Sequence, residues 1–510
     1  MTLLDAVVVG SGPNGLAAAV TLARAGLGVR VLEAETTLGG GSRTLELDVV
    51  PGSGLRHDVC SAIHPAAWAS PFMRAFDLGA RGVELRAPEL AYAQPLDGGR
   101  AGLAYRDVER TAALLDDITP GDGAAWRSLL GPLAGAWEQV AAIGLGDKRT
   151  VRGMTRTDLA EPGSALRDVA RAVVPGLRFG ASMLEQGTSA WNRRFSGDVA
   201  PALLTGVAAH AISAMPSMAG AGTALLLAAL AHAPGGWPLP VGGSQAIVDA
   251  LVADLREHGG ELETGREVRG PGDLPHARAY LFDTDPSTVA RVFADRLAPG
   301  RRAELQRFPR GHGAAKVDFV LSGPVPWAVP DVGGAGTVHL GGTRAQMVAA
   351  EAAVAAGRLP EHPVCLVSDP TVTDPGRERG GLRPLWVYAH VPRGSGADVT
   401  ELVTTQLERF APGFRDVVVA ARCIPAARMA EHNPSLVGGD IAGGAITLWR
   451  MVARPTARPD PYAVGPEGVY LCSASTPPGP SVHGMSGWFA ARRALRREFD
   501  IATPPSLAPR

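Results

Sequence analysis

The first forty residues follow the order of a nucleotide-binding βαβ unit. An apolar run at residues 5–9 leads into the turn Gly10-Ser11-Gly12-Pro13-Asn14-Gly15, and an alanine-rich segment at 16–25 follows it. A second apolar run ends at Glu33, about 18 residues after the last glycine of the turn. A GxGxxG turn between a strand and a helix, with an acidic residue at this distance, predicts a Rossmann-like dinucleotide site.

Each part of this unit has a physical role. Gly10 allows the tight turn, Gly12 lets the backbone approach a pyrophosphate, and Gly15 lets the helix pack close to the sheet. The start of the helix offers free N–H groups to the phosphates. Glu33 can accept hydrogen bonds from ribose hydroxyls and would repel a 2′-phosphate, which disfavours NADP. The predicted contacts are Gly10, Gly12, Pro13, Asn14, Gly15, Glu33 and Ala34.

A second glycine-rich motif, Gly39-Gly40-Gly41-Ser42-Arg43-Thr44, follows shortly after the acidic residue. On these two motifs the chain resembles the flavoprotein superfamily of amine oxidases and phytoene-desaturase-like dehydrogenases. Three further segments, residues 57–65, 432–440 and 471–484, resemble the desaturase-like branch most closely. The resemblance implies FAD as cofactor, with further contacts at Gly40, Gly41, Ser42 and Arg43. An arginine here supplies a forked cation for pyrophosphate oxygens.

The resemblance extends to two later segments. The first, residues 240–264, is expected to return the chain to the FAD domain, where a strand around Val268 touches adenine. The second, residues 468–485, resembles the closing flavin motif, with a helix at about 486–499 whose N-terminus faces the pyrimidine end of the flavin. The contacts implied there are Ser473, Ala474, Val482, His483, Gly484 and Met485.

The fold class that follows is α/β, a Rossmann-like FAD-binding domain of the amine-oxidase type with an interleaved α+β substrate domain. The FAD-binding domain is predicted from residues 1–70, 236–300 and 456–502. The substrate domain is predicted from 71–235, which reads as mainly helical, and from 301–455, which contains strands. A tail at 503–510 is expected to be disordered.

Composition excludes several classes of protein. The 49 basic and 50 acidic residues give a net charge of −1, so the electrostatic footprint of a nucleic-acid binder is missing. The four cysteines are far apart in sequence, which predicts no disulfide framework, no metal site and no redox pair. With no second GxGxxG either, a pyridine-nucleotide disulfide reductase is excluded.

Membrane and targeting signals are weak. The most apolar stretch, residues 200–233, is interrupted at Pro216 and predicts two buried helices rather than a transmembrane span. A peripheral membrane contact stays open. No signal peptide fits the first residues, so we expect a cytoplasmic protein.

Three residues are candidates for chemistry at the flavin. Only two of the basic residues are lysines, Lys148 and Lys316. Lys316 lies in an apolar strand-like run, where a compact and tunable ammonium group could serve near flavin N5, at a position that resembles the amine-oxidase lysine. His64 and His483 lie in segments expected to flank the flavin and could act as bases or bind substrate. A solvent-directed lysine and structural histidines are the alternatives.

The function predicted from these features is an FAD-dependent oxidoreductase, a dehydrogenase or desaturase. It would transfer a hydride from a largely apolar small molecule to flavin N5 and be reoxidised by oxygen or a quinone. The alternatives are a flavin amine oxidase, a non-redox flavin-dependent isomerase and a flavin-binding scaffold without catalysis.

Overall fold

The computed structural model describes residues 4–147 and 162–509. Lys148 lies outside these ranges. The strands in chain order are β1 (Leu4–Val9), β2 (Val29–Leu32), β3 (Thr44–Glu46), β4 (Arg56–Asp58), β5 (Leu85–Arg86), β6 (Leu90–Leu96), β7 (Arg100–Tyr105), β8 (Leu239–Pro240), β9 (Glu261–Glu263), β10 (Ala277–Phe282), β11 (Gly313–Leu321), β12 (Ala335–Leu340), β13 (Cys365–Ser368), β14 (Arg383–Val391), β15 (Val418–Ile424) and β16 (Val469–Leu471).

The α-helices are named in the same way. They are α1 (Pro13–Arg24), α2 (Pro65–Ala69), α3 (Pro71–Phe76), α4 (Val108–Ile118), α5 (Asp122–Gly135), α6 (Trp137–Leu145), α7 (Pro162–Gln186), α8 (Val199–Ala208), α9 (Met218–Ala231), α10 (Gln245–Glu257), α11 (Pro286–Val292), α12 (Pro299–Gln306), α13 (Arg344–Ala355), α14 (Thr400–Phe410), α15 (Phe414–Val417), α16 (Met429–His432), α17 (Leu448–Val452) and α18 (Met485–Glu498).

The first sheet is parallel and has the strand order β16-β10-β1-β2-β9. Its strands come from both ends and the middle of the chain, so distant segments complete one layer. Helix α1 packs against both α10 and α18. The approach to α18 is close because a Cβ at Gly487 would overlap the backbone of Asn14. This sheet with its helices confirms the predicted Rossmann-like α/β fold.

The second sheet has the order β15-β11-β14-β13-β12-β6-β7, with antiparallel neighbours except for the parallel pair β12 and β6. Because side chains alternate along a strand, β11 has two buried faces. Ala315, Val317 and Phe319 share a core with helix α14. Lys316 and Asp318 are on the opposite face.

Two predictions about local structure are corrected here. Residues 90–105 form the hairpin β6–β7 within a stretch predicted to be mainly helical, and Pro95 inside β6 obscured the strand pattern. Val268 is buried in a loop between β9 and β10, not in a strand. The apolar stretch predicted as two helices is confirmed as α8 and α9, with Pro216 between them.

Residues 503–510 are predicted to be disordered, but the described part of this tail packs onto the core around α1. Leu507 is only 4% exposed and joins the core around α1. Nη1 of Arg24 donates to the carbonyl oxygens of Ser506 and Ala508, each at 3.0 Å. Arg81 donates to the carbonyl of Leu507 at 3.1 Å. Arg24, Arg81 and Leu507 therefore hold the tail against the core.

Replacing Leu507 by alanine tests this docking. We expect a loss of about 2 kcal/mol of stability, at the low end for a buried leucine because the tail lies at the edge of the core. Urea unfolding followed by circular dichroism would show a lower midpoint for Leu507→Ala and an unchanged midpoint for the exposed control Pro509→Ala. Equal midpoints for Leu507→Ala and the unmodified protein would contradict the docking.

Candidate functional site

A cavity of about 730 Å³ runs between the two sheets. One end is formed by the glycine turn after β1, the second glycine motif and the loops after β2, β9 and β10. The other end is formed by helices α6, α7 and α9 and by the inner face of the seven-stranded sheet. We refer to these as the nucleotide end and the apolar end. A volume of this size is typical of a small-molecule or cofactor site.

The nucleotide end is built around the contact between the glycine turn and Asp283, which follows β10. The φ angle of Gly10 is +97°, and a Cβ there would lie 2.6 Å from the carbonyl oxygen of Asp283. The carboxylate of Asp283 accepts the backbone N–H of Gly15 at 2.8 Å and lies against Gly12. Side chains at Gly10 and Gly15 would separate the turn from β10, which agrees with the tight turn and the close helix packing predicted at these two positions.

Asp283 was not identified from the sequence, although its carboxyl group lines the cavity. Burial raises its pKa to about 7, and the nearby Glu33 carboxylate adds to the rise. The same carboxyl group contributes to the raised pKa of Cys472. The only sequence signal was an acidic residue directly after an apolar strand, in the run Asp283-Thr284-Asp285.

Glu33 lies at the end of β2, as predicted, and its carboxylate also organises the turn. It accepts hydrogen bonds from the backbone N–H of Ser11 at 2.9 Å and from the Ser11 hydroxyl at 2.5 Å. The N–H of Glu35 is bound at 2.9 Å. Since each carboxylate oxygen can accept two hydrogen bonds, one site remains for a ligand hydroxyl.

The second glycine motif touches the first. A Cβ at Gly40 would lie 3.1 Å from the Cα of Gly12. Arg43 is buried and donates to the carbonyl oxygen of Gly40 at 2.9 Å, to the Thr37 hydroxyl at 3.0 Å and to the carbonyl of His432. Three of its five N–H groups are therefore occupied, and it joins the motif to α16 while leaving two donors.

The structure brings most of the predicted cofactor contacts to the cavity wall. They are Gly10, Gly12, Pro13, Asn14, Glu33, Ala34, Gly40, Gly41, Ser42, Arg43, Val268, Ser473, Ala474 and Val482. Four predicted contacts do not line the cavity: Gly15, His483, Gly484 and Met485.

The start of α18 follows shortly after Val482, which lines the cavity. A Cβ at Gly484 would lie 2.6 Å from the ring of Phe72. Nδ1 of His483 accepts the N–H of Met485 at 3.0 Å, so its Nε2–H donates to the carbonyl of Gly479 at 3.1 Å. His483 therefore braces the loop before the helix.

Arg454 is a further residue of this region and is almost fully buried. It donates to the carbonyl oxygens of Ala474 at 2.9 Å, Ala442 at 2.5 Å and Gly443 at 2.8 Å. Burial lowers its pKa to about 10, with partial compensation from Asp440. The guanidinium holds two wall segments together.

The three predicted catalytic side chains lie behind the cavity wall. Lys316 is 1% exposed, pairs with Asp318, and has its Nζ 5.9 Å from the ring centre of Trp386, which does line the cavity. The Ser244 hydroxyl donates its proton to the carbonyl oxygen of Ser61, so Nε2–H of His64 donates to that hydroxyl oxygen at 2.8 Å. The sequence could not indicate which way these side chains face.

The apolar end contrasts with the nucleotide end in charge. In the described part of the chain, the wall from α6 to α9 and from the seven-stranded sheet includes no Asp, Glu, Lys or Arg. Trp237, Leu366, Trp386 and Tyr388 provide large apolar surfaces, and His210 is a polar exception. The charged wall residues come from the nucleotide end and the α16–β16 region: Glu33, Glu35, Arg43, Arg266, Glu267, Asp283, Asp285, Arg291 and Arg454. No described helix is long and apolar enough to cross a membrane.

Comparison with known proteins agrees with the nucleotide end. Residues 8–77 match a family model described as an NAD(P)-binding Rossmann-like domain. An uncharacterized protein of Mycobacterium tuberculosis is 26% identical, with 96% of this chain and 97% of the relative covered. A pyridine nucleotide-disulfide oxidoreductase domain-containing protein 2 of Rattus norvegicus is 23% identical, with 96% and 93% covered.

Solved structures with the same fold cover nearly the whole chain. An oxidoreductase from Methanosarcina mazei has a TM-score of 0.58 and 15% identity, with 96% of this chain and 100% of the other covered. A putrescine oxidase variant has a TM-score of 0.57 and 17% identity, with 97% and 99% covered. Cyclohexylamine oxidase from Brevibacterium oxydans has a TM-score of 0.52 and 15% identity, with 98% and 98% covered. At these identities the likeness shows the fold.

The raised pKa of Asp283 predicts a pH effect on stability. The folded protein holds this proton up to about pH 7, whereas an unfolded aspartate releases it near 3.8. The free energy of unfolding therefore falls by up to about 1.4 kcal/mol per pH unit as the pH rises between these two values. Asp283→Asn keeps an acceptor for the Gly15 N–H and removes this loss.

Urea unfolding of both proteins from pH 4.5 to 8 measures the difference. The advantage of Asp283→Asn should grow up to about pH 7 and then level off. Asp295→Asn, at a position outside the cavity wall, is the control. Parallel profiles for Asp283→Asn and the unmodified protein would show that this carboxyl is not perturbed.

Proposed function

We propose that the protein is an FAD-dependent oxidoreductase. It transfers a hydride from a largely apolar, uncharged small molecule to the flavin, with oxygen or a quinone as the final electron acceptor. The observation that carries the proposal is the single cavity with a polar dinucleotide end and an apolar end free of charged wall residues in the described chain. The oxidase names of structures with this fold add support.

The residues at the nucleotide end fit a dinucleotide of this kind. Asn14 Oδ1 and Ser42 Oγ are buried and have no hydrogen-bond partner among the residues described, and both side chains line the cavity. Three glycines, at positions 10, 12 and 40, pack closely against Asp283 and each other, so that their backbone lines the cavity where the pyrophosphate would bind. The start of α1 would face the pyrophosphate and Glu33 the ribose.

The extension of the cavity beyond the first glycine turn favours FAD over NAD. Ser473, Ala474 and Val482 line the cavity after β16. They lie on the side where the sequence resemblance expects the flavin ring. When bound, FAD supplies a ring nitrogen, N5, that accepts a hydride.

The side chains of the cavity would orient the substrate and exclude water from it, rather than act as acids or bases. Trp386, Tyr388 and Leu366 form an apolar wall that would exclude water and align a substrate C–H bond with the ring. Lys316, with its Asp318 partner, lies behind Trp386. We propose Lys316, His64 and His483 as positioning residues for this wall and its neighbouring loops.

The amine oxidase alternative is less well supported by the wall. An ammonium substrate gains from a nearby carboxylate, and the described apolar end provides none. A neutral hydrocarbon, alcohol or ketone needs no such partner.

Gly12→Ala tests the cofactor site. The φ angle of Gly12 is −62°, which alanine adopts freely, and the added methyl group would lie 2.4 Å from Oδ2 of Asp283, so the end of this side chain must shift. The fold should survive this local shift, while the turn that would hold the pyrophosphate is distorted. We expect at least a tenfold loss in FAD affinity by fluorescence titration. Gly300→Ala, in open space on α12, is the matched control. Equal FAD affinity in the unmodified protein, Gly12→Ala and Gly300→Ala would contradict cofactor binding at this turn.

Anaerobic bleaching of the bound flavin tests the reaction. Polyenes, primary amines and cyclic alcohols would each be mixed with the holoprotein without oxygen. We expect loss of the oxidised flavin absorbance with at least one uncharged compound and none with amines. Bleaching by amines alone indicates an amine oxidase. Product without net acceptor consumption indicates an isomerase, and no bleaching by any compound supports a scaffold.

A further inference from the structure

Two histidines meet where the apolar end of the cavity borders the seven-stranded sheet. Nε2 of His210 lies 3.0 Å from Nε2 of His339, and the rings cross at 83°. His210 lines the cavity and is half-buried, whereas His339 on β12 is fully buried behind it. The edge of Trp237 contacts His210 with ring centres 5.5 Å apart. The pair is therefore a polar spot in an apolar wall.

Both rings are neutral at physiological pH. Burial lowers the pKa of His210 to about 3, and it lowers the pKa of His339 well below its usual value. The titratable groups near the pair are His390, which contributes to both shifts, and Glu351, which His390 contacts directly. Because one proton lies between the two Nε2 atoms, one ring donates to the other.

This contact leaves one nitrogen of His210 for a ligand. Nδ1 of His210 makes no hydrogen bond to any residue that the structure describes, and the partner of Nε2 is behind the wall. His339 Nδ1, Tyr92 Oη and Gln94 Oε1 are buried beside the pair and also have no partner in the described chain. These three atoms lie behind the wall, and of this group only His210 lines the cavity. An unpartnered polar atom in an apolar wall is costly, so a ligand with a matching polar group is favoured at His210.

We propose that His210, held by His339, binds a neutral oxygen function, a hydroxyl or a carbonyl, on an otherwise apolar substrate. This rests on the proposed oxidoreductase function and narrows its substrate class. At the apolar end, the described wall holds no carboxylate for an ammonium group and no cation for a carboxylate. A neutral imidazole can donate to either oxygen type, whereas it can accept only from a hydroxyl.

Four probes of one shape test the proposal: phenylcyclohexane, 4-phenylcyclohexanol, 4-phenylcyclohexanone and 4-phenylcyclohexylamine. Their binding is measured on the holoprotein by the shift in flavin absorbance and by ligand-observed saturation-transfer NMR. We expect the alcohol, the ketone or both to bind about 3- to 10-fold more tightly than the hydrocarbon, as one neutral hydrogen bond provides. If only the alcohol binds more tightly than the hydrocarbon, Nδ1 of His210 accepts a hydrogen bond. If the alcohol and the ketone gain equally, Nδ1–H donates one.

Variants assign the effect to His210. His210→Phe keeps an aromatic ring and should remove the preference for oxygen, while His210→Gln keeps a polar group and should retain part of it. His276→Phe, at an exposed position, is the control. A preference that survives in His210→Phe, or four equal affinities in the unmodified protein, overturns the proposal.

The two proposals can fail separately. The NMR measurement needs no flavin and can be repeated on the cofactor-free protein. Oxygen-selective binding that depends on His210 in a protein unable to bind FAD would contradict the proposed function and leave the histidine site standing. FAD binding with tightest binding of the amine, or without oxygen selectivity, would overturn the histidine site alone.

Discussion

The contact between the glycine turn after β1 and Asp283 after β10 determines the shape of the nucleotide end. It requires no side chain at Gly10 and Gly15, and it places a carboxylate under the first turn of α1. It also fixes the position of α1, against which α18 packs closely enough to exclude a side chain at Gly487. Segments from the two ends and the middle of the chain are thereby joined at one point.

The division of charge along the cavity follows from this architecture. Loops at the carboxyl ends of the parallel strands present backbone N–H groups, Glu33 and Asp283, as is usual for ligand sites in such sheets. The seven-stranded sheet contributes one inner face, and its alternating pattern directs Trp386 and Tyr388 into the cavity. A cofactor with a charged and an aromatic end suits such a cavity, and His210 gives the apolar end one point of polar recognition.

The sequence was sufficient for the parts of the site that depend on local geometry. The turn at residues 10–15 and the motif at 39–44 have strict backbone requirements, so their spacing predicted where they lie relative to the first strand and helix. Lys316, His64 and His483 show the limit of this reasoning. Residues next to His64 and His483 line the cavity, whereas no residue of β11 does. The direction of each side chain depends on strand register and on the partner it finds in the folded chain, such as Asp318 for Lys316 and Ser244 for His64.

Other features depend on contacts between distant segments. Asp283 matters because β10 lies next to β1, and nothing local to its sequence indicates this. His210 and His339 are 129 residues apart and meet only because α8 packs on the sheet that contains β12. The strand β6 was hidden by Pro95, and the docked terminus depends on Arg24 and Arg81. Such pairings are properties of the folded chain.

The most direct test of the account is whether the purified protein binds FAD in this cavity. Equilibrium dialysis of the cofactor-free protein with FAD, followed by an absorbance spectrum, gives both stoichiometry and environment. We expect one FAD per chain, with flavin bands shifted from those of the free cofactor. A folded protein that remains colourless and binds no FAD would contradict the account.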